Sequence, residues 1–315
     1  MNNWTKIGAL GSSGSGNEQL NSPTAVTLDF PYLWIADISN TRVLKWKLQG
    51  GTYVDAITDI RAYALEVIDD KLYVMDTANE KVHMYNKNTL NLIRSSNAFS
   101  NLSGMIYWRD HLYIVDDSAD TLYRLDPNTL SVLKTLQISG VTDAYEGVAA
   151  LGNYLYVLTD AGIVYRVNSD MTYDNASVDL SAYMSAAYYI NAHEDYLFIS
   201  GNDTNFVVID SALQVIEDVT YDTTDWSSMF DVCSIGAHVF IAADFTADQL
   251  AIMYGFDRST GKSSGDTITI NDDGDWDFGD DIIIGGSEAN LTTLDFVRSL
   301  QSNPQTRNNW KEAAY

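Results

Sequence analysis

The stretch Leu33-Trp34-Ile35-Ala36 returns in altered letters as Leu72-Tyr73-Val74-Met75, Leu112-Tyr113-Ile114-Val115, Leu155-Tyr156-Val157-Leu158, Leu197-Phe198-Ile199-Ser200, Val239-Phe240-Ile241-Ala242 and Ile282-Ile283-Ile284. The first residues of these seven runs lie 39, 40, 43, 42, 42 and 43 positions apart. A period near 40 built from strand-like units marks a repeat architecture, which governs every other reading of the chain. Each run is too short for an ordinary helix. It is rich in β-branched and aromatic residues, and its unbroken apolar character indicates a strand covered on both faces.

Three further strand-like segments surround each run. One precedes it, as in Thr24 to Asp29, Ala64 to Asp69 or Gly147 to Leu151, and two follow, as in Arg42 to Leu48 with Tyr53 to Ile57. Turn residues such as Asp69-Asp70, Arg109-Asp110, Gly152-Asn153 and Asp126-Pro127-Asn128-Thr129 divide them. No segment sustains apolar spacing at three and four residues, so a helical solenoid is set aside. The expectation is an all-β fold: a seven-bladed β-propeller of four-stranded antiparallel blades, one domain over residues 1–315, with 298–315 as a C-terminal tail. Trp4 to Leu10 precedes the first unit without partners of its own, so it is expected to close blade seven as the outer strand. The tail containing Trp310 competes for that place.

Among the 315 residues, 43 are acidic and 18 basic, a formal charge of -25. That charge repels phosphate backbones and anionic lipid, so nucleic-acid binding is not expected. It suits divalent cations, a basic partner or a high-salt setting. The single cysteine, Cys233, forms no internal disulfide and no multi-cysteine zinc site. No apolar run reaches membrane-spanning length, and Met1-Asn2-Asn3-Trp4-Thr5-Lys6 has no secretory signal character. Cytoplasmic residence or incorporation into a particle such as a virion is the expectation, without membrane insertion.

The run Ile7-Gly8-Ala9-Leu10-Gly11, continued through Asn21-Ser22-Pro23 and then Leu33-Trp34-Ile35-Ala36-Asp37-Ile38-Ser39-Asn40-Thr41-Arg42-Val43, resembles the NHL-repeat family of β-propellers. Unit two keeps Asp76, Asn79 and Lys81, and unit three keeps Asp116 and Asp120. The resemblance implies a propeller that serves as a binding platform or, in some members, as an enzyme. Asp37, Asn40 and Arg42 cluster on one tight connection, where such side chains bond local backbone and brace the adjacent loop. A second resemblance lies at Asp273-Gly274-Asp275-Trp276-Asp277-Phe278-Gly279-Asp280-Asp281, which is similar to the calcium loop of integrin-type propeller repeats. That likeness implies Asp273, Asp275, Asp277 and Asp281 as calcium ligands. The family sets glycine directly after the third acidic ligand, where this chain has Phe278.

Four histidines, His83, His111, His193 and His238, do not converge in the expected register, and no serine elbow or phosphate loop is evident. Aromatic residues offer a different chemistry. Tyr63, Tyr145, Tyr183, Trp226, Phe230 and Trp276 fall in or near the connections between units, where rings beside polar groups can stack on a sugar or anchor a protein. The functional expectation is a non-enzymatic binding or structural module for a protein or carbohydrate partner, as part of a larger assembly such as a virion or surface appendage. The alternative is a metal-dependent hydrolase or lyase with its site in the axial channel.

Overall fold

A computed structural model describes residues 5–254 apart from Glu194, 202–204, 221–228, 235–238 and Phe245, together with 269–270 and 276–277. Five sheets each comprise four consecutive antiparallel strands, numbered here from the inner strand outward. Sheet one has Pro23–Asp29, Tyr32–Asp37, Arg42–Lys47 and Thr52–Thr58. Sheet two has Ala62–Ile68, Lys71–Asp76, Lys81–Asn86 and Leu92–Ser95. Sheet three has Leu102–Trp108, His111–Asp116, Thr121–Leu125 and Val132–Leu136. Sheet four has Tyr145–Leu151, Tyr154–Thr159, Ile163–Asn168 and Tyr173–Asp179. Sheet five has Ala187–His193, Tyr196–Gly201, Asn205–Asp210 and Val215–Thr220.

A sixth sheet is assembled from both ends of the described chain. Met229–Ser234, Val239–Asp244 and Gln249–Tyr254 supply three strands, and the N-terminal strand Thr5–Leu10 pairs antiparallel with Gln249–Tyr254 as the fourth. The expected seven blades are therefore corrected: five sheets of consecutive strands and a sixth clasped sheet close the ring. Sheet six packs directly on sheet one, where Val26 N donates to Asp231 Oδ2 at 3.0 Å and Asp248 Oδ1 accepts from Ser22 N at 2.7 Å. Leu10, Ala243 and Leu250 share one apolar cluster with Leu33, Ile35, Leu44 and Trp46. That contact leaves no gap for a seventh sheet. The clasping strand is N-terminal, as expected, but it completes the sixth sheet. The seventh apolar run, Ile282 to Ile284, and the 298–315 tail lie outside the described residues.

The recurring run is the second strand of each sheet, and its burial follows from its sequence. Tyr32–Asp37, Lys71–Asp76, His111–Asp116 and Tyr154–Thr159 are buried at every position after the first. Neighbouring sheets cover one face each, so alternation of polar and apolar residues is absent. Further apolar clusters fill the spaces between sheets one and two, two and three, three and four, and four and five.

Three second strands end in a buried aspartate, and two of these tie down the chain entering their sheet. Asp37 accepts from Asn21 N at 2.7 Å, and Asp116 accepts from Ser100 N at 2.7 Å and Asn101 N at 3.1 Å; Asp76 accepts from Ala78 N at 2.9 Å within the following turn. Arg42 bonds Asp37 at 2.7 Å and also donates to the carbonyls of Ser15, Gly16 and Gln19. Asp37 and Arg42 thus stitch a loop to a blade. Near the axis the inner strands come very close: a Cβ on Gly104 would lie 2.9 Å from Gly147 Cα, which only glycine avoids.

Candidate functional site in the axial channel

The six inner strands surround an axial channel, and two cavities meet within it. The narrower, about 60 Å³, lies along the first halves of the strands and is lined by Tyr63, Glu66, Glu146, Tyr189, Asn191 and Asp231 among others. The wider, about 800 Å³, opens at the opposite face, where hairpins join first strands to second strands. Its wall includes Tyr107, Trp108, Arg109, His193 and Phe198. Leu65, Glu66, Asn191 and Asp231 border both cavities and so form the floor of the wide funnel.

Each floor group is placed by its strand. Asp231, third in Met229–Ser234, is fixed by Val26 N and by Val232 N at 2.9 Å, and Asn191 Nδ2 donates to its Oδ1. Three donors hold one carboxylate in a single orientation, which favours its ionised form. Burial outweighs them and pushes the Asp231 carboxyl up to about 6. Glu66 sits mid-strand in sheet two with fewer donors. Burial, reinforced by the Asp231 charge, pushes its carboxyl up to about 8. Glu146 is pushed up to about 7, by burial first and then by Asp117 and Asp160. At neutral pH the floor therefore presents a protonated Glu66, which can donate a hydrogen bond, beside an ionised Asp231, which accepts one. Among the described residues no group of three His, Cys, Asp or Glu side chains is arranged to hold a metal ion.

The aromatic residues singled out from the sequence divide. Tyr63 and Phe230 come together through Tyr189, whose ring stacks on Tyr63 at 5.7 Å and meets Phe230 at 4.5 Å. Tyr63 and Tyr189 line the narrow cavity. Tyr145 is fully buried and its hydroxyl accepts from Ile138 N at 2.9 Å, which makes it a packing residue. Tyr183 is exposed, on the connection between sheets four and five, away from the channel lining. The side chains of Trp226 and Trp276 lie outside the described residues, as do those of Asp273, Asp275, Asp277 and Asp281. The backbone of Trp276–Asp277 pairs with Thr269–Ile270.

Sequence reasoning missed the channel carboxyls. A signal was present, since Glu66 and Asp231 are the acidic residues inside the otherwise mainly apolar inner strands Ala62–Ile68 and Met229–Ser234. Reading them required knowing which alternate residues face the axis. His193, one of the four histidines considered from the sequence, is buried at the funnel wall, with its ring 6.5 Å from Phe198. His83 instead bonds Ser95 and Asp76, and His111 bonds the Arg109 carbonyl. His238 lies outside the described residues.

No protein-family model matches the chain, and no curated protein is similar to it in sequence. Solved structures do resemble it in shape. Virginiamycin B lyase from Staphylococcus aureus superposes with a TM-score of 0.61 at 9% identity, over 80% of this chain and 100% of the lyase. The computationally designed Ika8 protein superposes with a TM-score of 0.50 at 13% identity, over 74% of this chain and 70% of its own. At such identities the likeness establishes the β-propeller fold alone.

Proposed function

We propose that the protein is a binding module whose axial funnel receives a small polyhydroxylated or amino-bearing group, with carbohydrate the class that fits best. The observation that carries this reading is the funnel floor, where a carboxylic acid, a carboxylate and an amide sit together beneath aromatic walls. Sugars present alternating hydroxyl donors and acceptors on a ring with an apolar face, which such a floor and wall can match. A part in a larger assembly is consistent with this role, because a propeller leaves both faces and its rim available for other contacts.

The test is a thermal-shift and calorimetric screen of wild-type protein against neutral and amino monosaccharides, repeated with Asn191→Ala. Binding that weakens at least tenfold in the variant, about 1.4 kcal/mol, supports the proposal. Sugars that fail to bind, or that bind both proteins equally, defeat it.

One observation favours a second reading. Glu66 and Asp231 have their proton affinities pushed apart, to about 8 and about 6, which is the arrangement of a general acid with a general base, so acid–base chemistry on a bound sugar is the enzymatic alternative. Turnover of a bound ligand that disappears in Asp231→Asn while binding persists would favour it. Calcium at Asp273, Asp275, Asp277 and Asp281 is a separate proposal. Its support is the spacing of those carboxylates, and a calcium-dependent rise in melting temperature that is lost in Asp275→Asn tests it.

A further inference from the structure

Each of the six inner strands skips a step of its pairing near its start, at equivalent positions from sheet to sheet. The skipped residues are Thr24, Tyr63, Ser103, Glu146 and Tyr188 in sheets one to five, and Phe230 with Asp231 in sheet six. A bulge takes its residue out of the ladder and re-aims the side chain. Apart from Phe230, every one of these residues lines the narrow cavity, so all six sheets deliver a side chain to the same place on the axis. Two are spent on construction: the Thr24 hydroxyl donates to the Ala62 carbonyl and the Ser103 hydroxyl to the Tyr145 carbonyl, each tying its inner strand to the next.

The cavity gathers acid without counter-charge. Glu66, Glu146 and Asp231 come from alternate sheets, two, four and six, and no Lys, Arg or His side chain stands among the described residues of the lining. The charges that act on Glu66 and Glu146 are themselves acidic: Asp231 on the first, Asp117 and Asp160 on the second. Asp231 has three donors, whereas no donor among the described residues bonds Glu146. A buried carboxylate is stable only with a partner, and here the chain supplies none to Glu146. A second observation, independent of charge, marks the same place. Tyr189 is 9% exposed, and its buried hydroxyl lies near Glu146, Asp231 and the Tyr63 hydroxyl without the geometry of a closed hydrogen bond to any of them. Its oxygen is left to accept from whatever enters the cavity.

We infer that the narrow cavity binds a primary ammonium group, with the Glu146 carboxylate as its counter-charge and the Tyr189 hydroxyl accepting one of its N–H donors. A volume of about 60 Å³ admits a few water-sized atoms, the size of an ammonium head with its first methylenes. A metal ion fits less well, because the carboxylates among the described residues are not grouped in threes around one point. The cation also gains from the wall, where the ring of Tyr63 stacks on that of Tyr189 at 5.7 Å. The surrounding field favours its arrival, since residues 137–254 carry 17 acidic side chains and one basic, Arg166. This inference stands apart from the funnel reading: Tyr63, Glu146 and Tyr189 line the narrow cavity and not the wide one.

Calorimetric titration of the full chain with butylamine and with Nα-acetyl-lysine amide, at neutral pH and constant ionic strength, tests this. The expected result is saturable binding of butylamine that Glu146→Gln and Tyr189→Phe each weaken about tenfold. Both substitutions keep the shape of the side chain, and Tyr189→Phe removes a hydroxyl that closes no bond, so that variant should melt no lower than wild type. Sodium, and tetramethylammonium with no N–H to donate, should not bind. Binding of butylamine alone assigns the site to a free amine, and binding of the lysine amide as well assigns it to a side chain of a protein partner. Absence of saturable butylamine binding overturns the inference, as does binding that either variant retains in full or that sodium or tetramethylammonium reproduces.

Discussion

Replacing Glu66 by Gln keeps the shape of the side chain and removes its proton equilibrium, which makes it the sharpest probe of the channel. Native Glu66 holds its proton up to about pH 8, against an ordinary value of 4.5 that the unfolded chain is expected to show. Between those values the native state binds more protons than the unfolded state, so this residue lowers stability progressively as pH rises from about 4.5 through about 8. Each pH unit of that interval is worth about 1.4 kcal/mol, which sets a ceiling of about 5 kcal/mol. Water reaching the floor from the 800 Å³ funnel and relaxation of the wall reduce the cost to about 2 kcal/mol. Glu66→Gln should therefore match wild type near pH 5 and exceed its stability by about 2 kcal/mol at pH 9. Urea unfolding of both proteins across that range is the assay. If the difference in unfolding free energy does not change with pH, or wild type gains on the variant as pH rises, Glu66 is not a buried acid and the electrostatic description of the floor fails.

Other consequences follow from the same coordinates. Tyr145→Phe leaves the buried Ile138 N–H without its acceptor and should cost about 1–3 kcal/mol in chemical denaturation, whereas an interface role for Tyr145 alone would leave stability unchanged. Arg42→Lys cannot reproduce four hydrogen bonds from one planar fork, so protease cleavage between residues 11 and 20 should accelerate while the sheets stay folded. Deleting residues 1–12 removes the strand that clasps sheet six and uncovers the Gln249–Tyr254 edge. A marked fall in melting temperature is expected, and an unchanged melting temperature would mean that the ring does not depend on the clasp.

Six of the seven apolar runs became second strands, so strand class, blade period and antiparallel order were legible in advance, because a strand covered on both faces must be apolar at every position and turn chemistry is local. Asp37, Asn40 and Arg42 were also legible as local braces, since their partners lie within one connection and the loop it supports. A clasp by the first strand was visible too, from a segment that had no partners of its own. The number of sheets was not legible. Seven runs gave seven units, yet ring membership is decided by which inner strands touch, and the contact of Val26 with Asp231 spans about two hundred residues of chain. The channel floor was hidden for the same reason: Glu66 and Asp231 belong to sheets two and six, and their altered proton affinities come from burial at a shared axis. Sequence alone determined what each unit of this protein is, through residue-scale sterics and solvation; closure of the ring decided how many units take part and which of their side chains meet, because burial and charge proximity exist only once distant strands are brought together.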